Sequence, residues 1–321
     1  MDFFSHILIG VFIAVFTLDS LGEEYAVLAG IMTFLPDLDV FLGIFRSTRK
    51  SKLLSHKGVS HSYFSAFIVS AFSAIVFSLI TGSSFFIAWL IGFLFYSLHV
   101  TLDALAASKI PLFYPISKKR YRFIIMRAIN PILGLISGGI LIFYLIVRSL
   151  SPELYYSKVL AFYFFSIYLI FFAYKLTSKI WIQLRLPKNS HYIPGIIPPI
   201  YYIYENHESE TLSFKLSKKY QFIPKIYTII ETVIEKDSEE MEYYLKAKSL
   251  AEGYLFFSKW EGVIPIFQKN ENFIVVLLFL AEGYASGSTY CLEIAFDKKS
   301  GNVITKSDGF GRIIAKKNHN S

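Results

Sequence analysis

The sequence predicts a multi-span α-helical membrane domain followed by a small α+β cytosolic domain. Three observations carry this. Of 321 residues, 54% are hydrophobic and only 17% are charged, against roughly 25% charged in ordinary soluble domains. The apolar excess lies before about residue 176, in runs of bilayer-crossing length. Beyond Trp181 the apolar runs shorten and alternate with charges, as in a globular fold.

In chain order, residues 7 to 18 form a short apolar run, and Asp19 to Glu24 make an acidic turn. A second run from Tyr25 ends at Pro36-Asp37-Leu38-Asp39. These two runs read either as full crossings or as a re-entrant pair, each having about a dozen clean apolar residues where a span needs roughly 20. Residues 62 to 80 and 85 to 107 are spanning candidates joined by the tight turn Thr81-Gly82-Ser83-Ser84. Residues 123 to 147 span again, with a kink expected at Asn130-Pro131, and residues 158 to 174 make the last span. The expected domains are 1–180 in the membrane, a proline-rich connector 181–200, a cytosolic α+β domain 201–315 and a disordered tail 316–321. In the cytosolic part, Tyr201 to Leu216 favours β structure and Asp237 to Leu255 reads as a helix. Phe273 to Leu280, Tyr290 to Phe296 and Val303 to Thr305 read as strands.

The net charge of +8 is concentrated in loops beside apolar runs, chiefly Arg46 to Lys57 and Lys109 to Arg122. That placement signals topology and contact with membrane lipid rather than nucleic-acid binding. Both basic loops are expected in the cytoplasm, which gives six crossings with both termini cytoplasmic, in a cell inner or plasma membrane. The single cysteine, Cys291, excludes an internal disulfide framework and a multi-cysteine zinc site. The first residues lack a basic segment and do not read as a cleaved signal.

On that topology every histidine of the first 190 residues reaches one level, at the cytoplasmic end of its run: His6, His56, His61 and His99. Asp37, Asp39 and Asp103 join them. His99 and Asp103 are four apart and share a helix face. His6, Asp37 and His99 lie about 12 to 15 residues from the outer turns, or roughly 18–22 Å at helical rise. Imidazole and carboxylate suit zinc and related divalent ions, whereas clustered carboxylates without a cation repel and are desolvated. The expected ligands are His6, Asp37, Asp39, His61, His99 and Asp103, around one or two ions, zinc first. Asp37, Asp39 and His56 are the candidates for catalytic roles. Lys57 and Arg127 are candidate contacts for a substrate anion. Ser60 and Ser62 read as turn or cap residues.

These blocks carry a family resemblance. His6, Pro36-Asp37-Leu38-Asp39, His56-Lys57-Gly58-Val59-Ser60-His61-Ser62 and His99-Val100-Thr101-Leu102-Asp103, with Pro115 beyond, resemble the YdjM-like family over roughly residues 1 to 120. The resemblance implies a LexA-binding, inner-membrane-associated, metal-dependent hydrolase. The family's HRGxTHS reads HKGVSHS here, and the Thr and Gly that follow its HxxxD pair are replaced within Ala104 to Lys109. A weaker likeness joins HxxxD to the zinc phospholipase C and P1 nuclease group, which implies a phosphoester substrate.

The expected function is therefore a membrane metal-dependent hydrolase, acting at the cytoplasmic interface on an ester, a phosphoester of a lipid-like or membrane-proximal substrate first. The alternatives are a non-enzymatic scaffold or metal-binding protein whose cytosolic domain recruits a protein partner, or an ion transporter.

Overall fold

The structure is a computed structural model that describes residues 3–44, 57–106, 108–127, 130–151, 158–254, 256–257, 260, 262–285 and 287–312. The chain separates into two compact units, Met1–Thr177 and Ser178–Ser321.

The first unit is helical. Its elements are α1 (Phe3–Leu21), α2 (Glu23–Phe34), a 3-10 segment (Leu35–Ile44), α3 (Tyr63–Thr81), α4 (Phe85–Ala104), α5 (Pro131–Leu150) and α6 (Lys158–Gln183), the last continuing into the second unit. Four of these, α1, α3, α4 and α6, are long and apolar enough to cross a membrane. α2 has only 12 residues, and α5 is apolar from Pro131 to Val147. Six crossings were expected; among the described residues, α1, α3, α4 and α6 meet that length and composition.

α1 and α2 form a hairpin around Gly22, whose φ of 83° suits glycine. Their backbones nearly touch. A Cβ on Gly10 would lie 2.6 Å from the Gly30 carbonyl oxygen, so this contact requires glycine, as small residues generally permit close packing of membrane helices. The same logic places Ala66, Ala74 and Ala88 in the apolar cluster of α2, α3 and α4. A second cluster joins Leu8 and Phe12 of α1 to Tyr144 of α5 and Ala161 of α6. Many large apolar side chains point outward, among them Phe72, Leu79, Leu135 and Ile170, as a lipid-facing surface demands.

One expectation is corrected. Asn130-Pro131 does not kink a span that begins at 123. Asn130 caps the start of α5, its side chain accepting from the N–H groups of Ile132 and Leu133, and Pro131 opens the helix. Proline fits there because the first helical N–H has no intrahelical partner. Residues 122–125 are non-helical instead, with Phe123 and Ile125 N–H groups bonded to the carbonyls of Ala104 and Leu105.

The second unit holds two four-stranded antiparallel sheets, ordered β1-β2-β3-β4 and β5-β6-β7-β8. The strands are β1 (Ser190–Pro194), β2 (Ile200–Glu208), β3 (Thr211–Tyr220), β4 (Ile223–Glu235), β5 (Val263–Lys269), β6 (Phe273–Leu280), β7 (Ser288–Asp297) and β8 (Val303–Arg312). Helix α7 (Glu239–Ala251) lies between the sheets in sequence, capped by the Ser238 side chain. Tyr243, Tyr244 and Ala247 of α7 pack with Phe214 and Leu216 of β3 and with Val276, Leu278, Leu292 and Ile294. The proline-rich stretch contains β1, paired with β2 from Ser190↔Glu205 to Pro194↔Tyr201. The strand β4, which the sequence reading left unassigned, is largely exposed.

Candidate metal centre

Four segments of the helical unit deliver side chains to one buried point. α1 brings His6, the 3-10 segment brings Asp37 and Asp39, the turn before α3 brings Lys57, Ser60 and His61, and α4 brings His99 and Asp103. The turn is fixed locally. Ser62 caps α3 by accepting from Ser65 N–H at 3.1 Å, and the Tyr96 hydroxyl donates to the Ser60 carbonyl at 2.8 Å.

Asp37, His61, His99 and Asp103 each offer one ligand atom, and these atoms all lie within 4.8 Å of one another. The separations are informative. His61 Nε2 is 3.3 Å from His99 Nε2, 3.2 Å from Asp103 Oδ2 and 3.6 Å from Asp37 Oδ1. His99 Nε2 is 3.6 Å from Asp37 Oδ1 and 3.9 Å from Asp103 Oδ2. A tetrahedral ion with bonds of about 2.0–2.1 Å has ligand edges of about 3.3–3.4 Å. The cluster is therefore close to the dimensions of a zinc-type site without large rearrangement.

The outer nitrogens are already committed. His99 Nδ1 lies 2.8 Å from the Thr33 carbonyl oxygen, so it carries the proton and leaves Nε2 as the donor atom. His61 Nδ1 lies 3.3 Å from Asp39 Oδ2 and 3.0 Å from Ser60 Oγ. Partners on the far ring nitrogen are the usual way that a protein orients a metal-binding imidazole. Asp39 is itself held by the Lys57 N–H at 3.1 Å and by the Ser60 hydroxyl. Donor chemistry, spacing and orientation all fit a divalent ion.

His6 and Asp39, also expected as ligands, adjoin the four-atom group. His6 Nε2 is 3.3 Å from Asp103 Oδ1, and its ring lies 3.9 Å from the His99 ring. His6 Nδ1 is buried without a hydrogen-bond partner among the described residues. Lys57 points inward, its Nζ 2.9 Å from Asp103 Oδ2. Its backbone φ is 61°, a conformation that costs a non-glycine residue energy and often marks a functional position. Arg127 is buried and close enough to Lys175 for their charges to interact. His56 lies outside the described residues.

Burial opposes charge on both His61 and Asp37, yet their neighbours outweigh it. The carboxylates of Asp103, Asp37 and Asp39 push the His61 imidazole up to about 10. His61, His99 and His6 hold the Asp37 carboxyl well below the usual carboxylate range. Without an ion the centre is thus a network of buried ion pairs.

Sequence reasoning missed three supporting groups. The Thr33 carbonyl has no side-chain signature. Ser60 read as a turn residue, although its place between His56 and His61 in the HKGVSHS block was a usable signal. Tyr96 carried no motif of its own, although it lies one turn before His99.

Apolar helices of spanning length around a buried His/Asp cluster define an integral membrane protein with a metal-type centre. The YdjM inner membrane protein family matches residues 1–179, and the chain belongs to that family. The match covers the whole cluster. No curated protein and no solved structure matches the chain, and the weaker likeness to zinc phospholipase C gains no support.

Proposed function

We propose that this protein is a membrane metal-dependent hydrolase acting at the cytoplasmic interface on an ester, a phosphoester of a lipid-like substrate first. The observation that carries this reading is the four-atom cluster of Asp37, His61, His99 and Asp103, with both histidines oriented from behind. Zinc or a similar ion held there would supply Lewis acidity toward water and toward an ester oxygen. The chain's own groups do the rest. Asp39 keeps a proton on His61 Nδ1, and the Thr33 carbonyl does so for His99. His6, bonded to Asp103 through Nε2, presents Nδ1 as a group able to take up or release a proton. Lys57 balances Asp103 and offers an ammonium to an anionic substrate oxygen. Arg127 is a second, more remote cation of the same sign. The basic loops support a reading with both termini in the cytoplasm, by the positive-inside rule.

The test is a metal assay joined to a hydrolysis screen. Purified protein should retain about one divalent ion per chain. Asp37→Asn should abolish release of product from a lipid phosphoester while the purified protein remains folded. Metal-free protein that turns over at the full rate would end the proposal.

A further inference from the structure

The hairpin between β3 and β4 has an unusual tip. Tyr220 pairs with Ile223, so Gln221-Phe222 is the whole turn. Two-residue turns favour Asn and Gly, yet here Phe222 is 77% exposed, followed by Ile223 at 50% and Ile226 at 53%. The exposed apolar tip is flanked by cations. Lys218 Nζ lies 4.9 Å from the Tyr220 ring centroid and Lys225 Nζ 5.1 Å from that of Tyr227.

The tip meets the end of α6. The Ser178 hydroxyl donates to Gln221 Oε1 at 3.3 Å, and Ile182 packs with Tyr192, Tyr201 and Ile203. A groove of about 340 Å³ opens between them, lined by Trp181, Arg185, Tyr201, Lys219, Phe222 and Ile223. The Arg185 guanidinium lies 3.9 Å over the exposed Trp181 ring.

The level of this groove follows from α6 itself. Residues 159–174 are uncharged, and Lys175 is the first charge after them. At helical rise Ser178 lies about 4–5 Å beyond Lys175 and Trp181 about 9 Å beyond. The interfacial layer of one leaflet is roughly 5–8 Å deep. Ser178 thus falls within that layer and Trp181 at its outer edge, on the same helix as the apolar run, and the groove carries the Trp, Tyr, Arg and Lys that favour headgroup contact.

We infer that this groove seats the headgroup of an anionic lipid between Arg185 and Lys219, while Phe222 and Ile223 enter the acyl boundary. The sheet unit is thereby fastened to the bilayer at a second point besides its connecting helix. This inference does not depend on chemistry at the His/Asp cluster.

The experiment uses the full chain in nanodiscs of phosphatidylcholine alone or with one third phosphatidylglycerol. A polarity-sensitive label goes on Phe222→Cys, in a Cys291→Ser background. A control label goes on Asn270→Cys, at the exposed turn after β5. The label at 222 should shift to the blue and be quenched by brominated lipid, more strongly in the anionic discs, while the label at 270 stays aqueous. Arg185→Gln with Lys219→Gln should weaken phosphatidylglycerol retention roughly thirtyfold, at about a fivefold loss per cation near the surface. Phe222→Ser, at an exposed site that need not disturb the fold, should weaken quenching of a label at Ile223→Cys. Equal exposure of the labels at 222 and 270 in both discs overturns the inference. So does shielding that appears only when two copies share a disc, which would make the tip a contact between chains.

Discussion

The helical unit buries His6, Asp37, Asp39, Lys57, His61, His99 and Asp103, whereas the cluster that unites the sheets and α7 is built from residues such as Phe214, Val276, Leu278, Leu292 and Ile294. The two units are therefore held together on different terms. In the sheet unit, burial of apolar area stabilises, and among the described residues Glu282 is the one charged side chain that is buried. In the helical unit, the buried charges of the His/Asp cluster are tolerable because others oppose them. The difference teaches where function resides. A core made only for stability would replace such a network with well-packed apolar residues, often at a gain.

The largest break in this comparison should come from Asp103→Ala. It removes the partner of Lys57, His6 and His61 together. Bound metal should be lost, and the helical unit should be destabilised by about 3–5 kcal/mol, the usual cost of orphaning a buried charge. Metal analysis and thermal unfolding in detergent check this, with the sheet unit's transition unmoved. Leu292→Ala should do the reverse. It should destabilise the sheet unit by about 2–5 kcal/mol through cavity formation and leave metal content unchanged.

Asp39→Asn is subtler, because it alters a group that contacts His61 through Nδ1. Metal affinity should fall about 10- to 100-fold, measured by competition with a chelating dye, and addition of excess zinc should restore occupancy. Complete and irreversible loss would make Asp39 a ligand. The smallest effect is on pH dependence. In metal-free protein His61 keeps its proton up to about pH 10. An ion on Nε2 must displace that proton, so affinity should rise with pH, about tenfold per unit below pH 10 if one proton leaves. The same titration repeated from pH 6.5 to 8.5 reads the slope. A flat profile would remove His61 from the ligand set.

The helices of spanning length and the shared depth of His6, Asp37, His61, His99 and Asp103 were legible because both follow from counting along apolar runs. The division of roles was not. Asp37 and Asp39 are two residues apart in one segment, yet one faces His61 Nε2 and the other His61 Nδ1. Asn130-Pro131 was read as a kink because the run from 123 is apolar, and hydropathy does not distinguish a helix from the non-helical backbone of residues 122–125. In the sheet unit, β6 and β7 were legible from their apolar runs. β1 and β4 were not, since their pairing is with distant strands and β propensity depends on such neighbours.

By itself the sequence determined which segments are apolar enough to enter a membrane and which ionisable groups arrive at the same height. It did so because helical rise and the thickness of hydrocarbon are fixed lengths. Only the tertiary structure decided which atoms meet. The turn of an imidazole and the reach of a lysine depend on partners from other segments, here the Thr33 carbonyl behind His99 and Asp103 opposite Lys57.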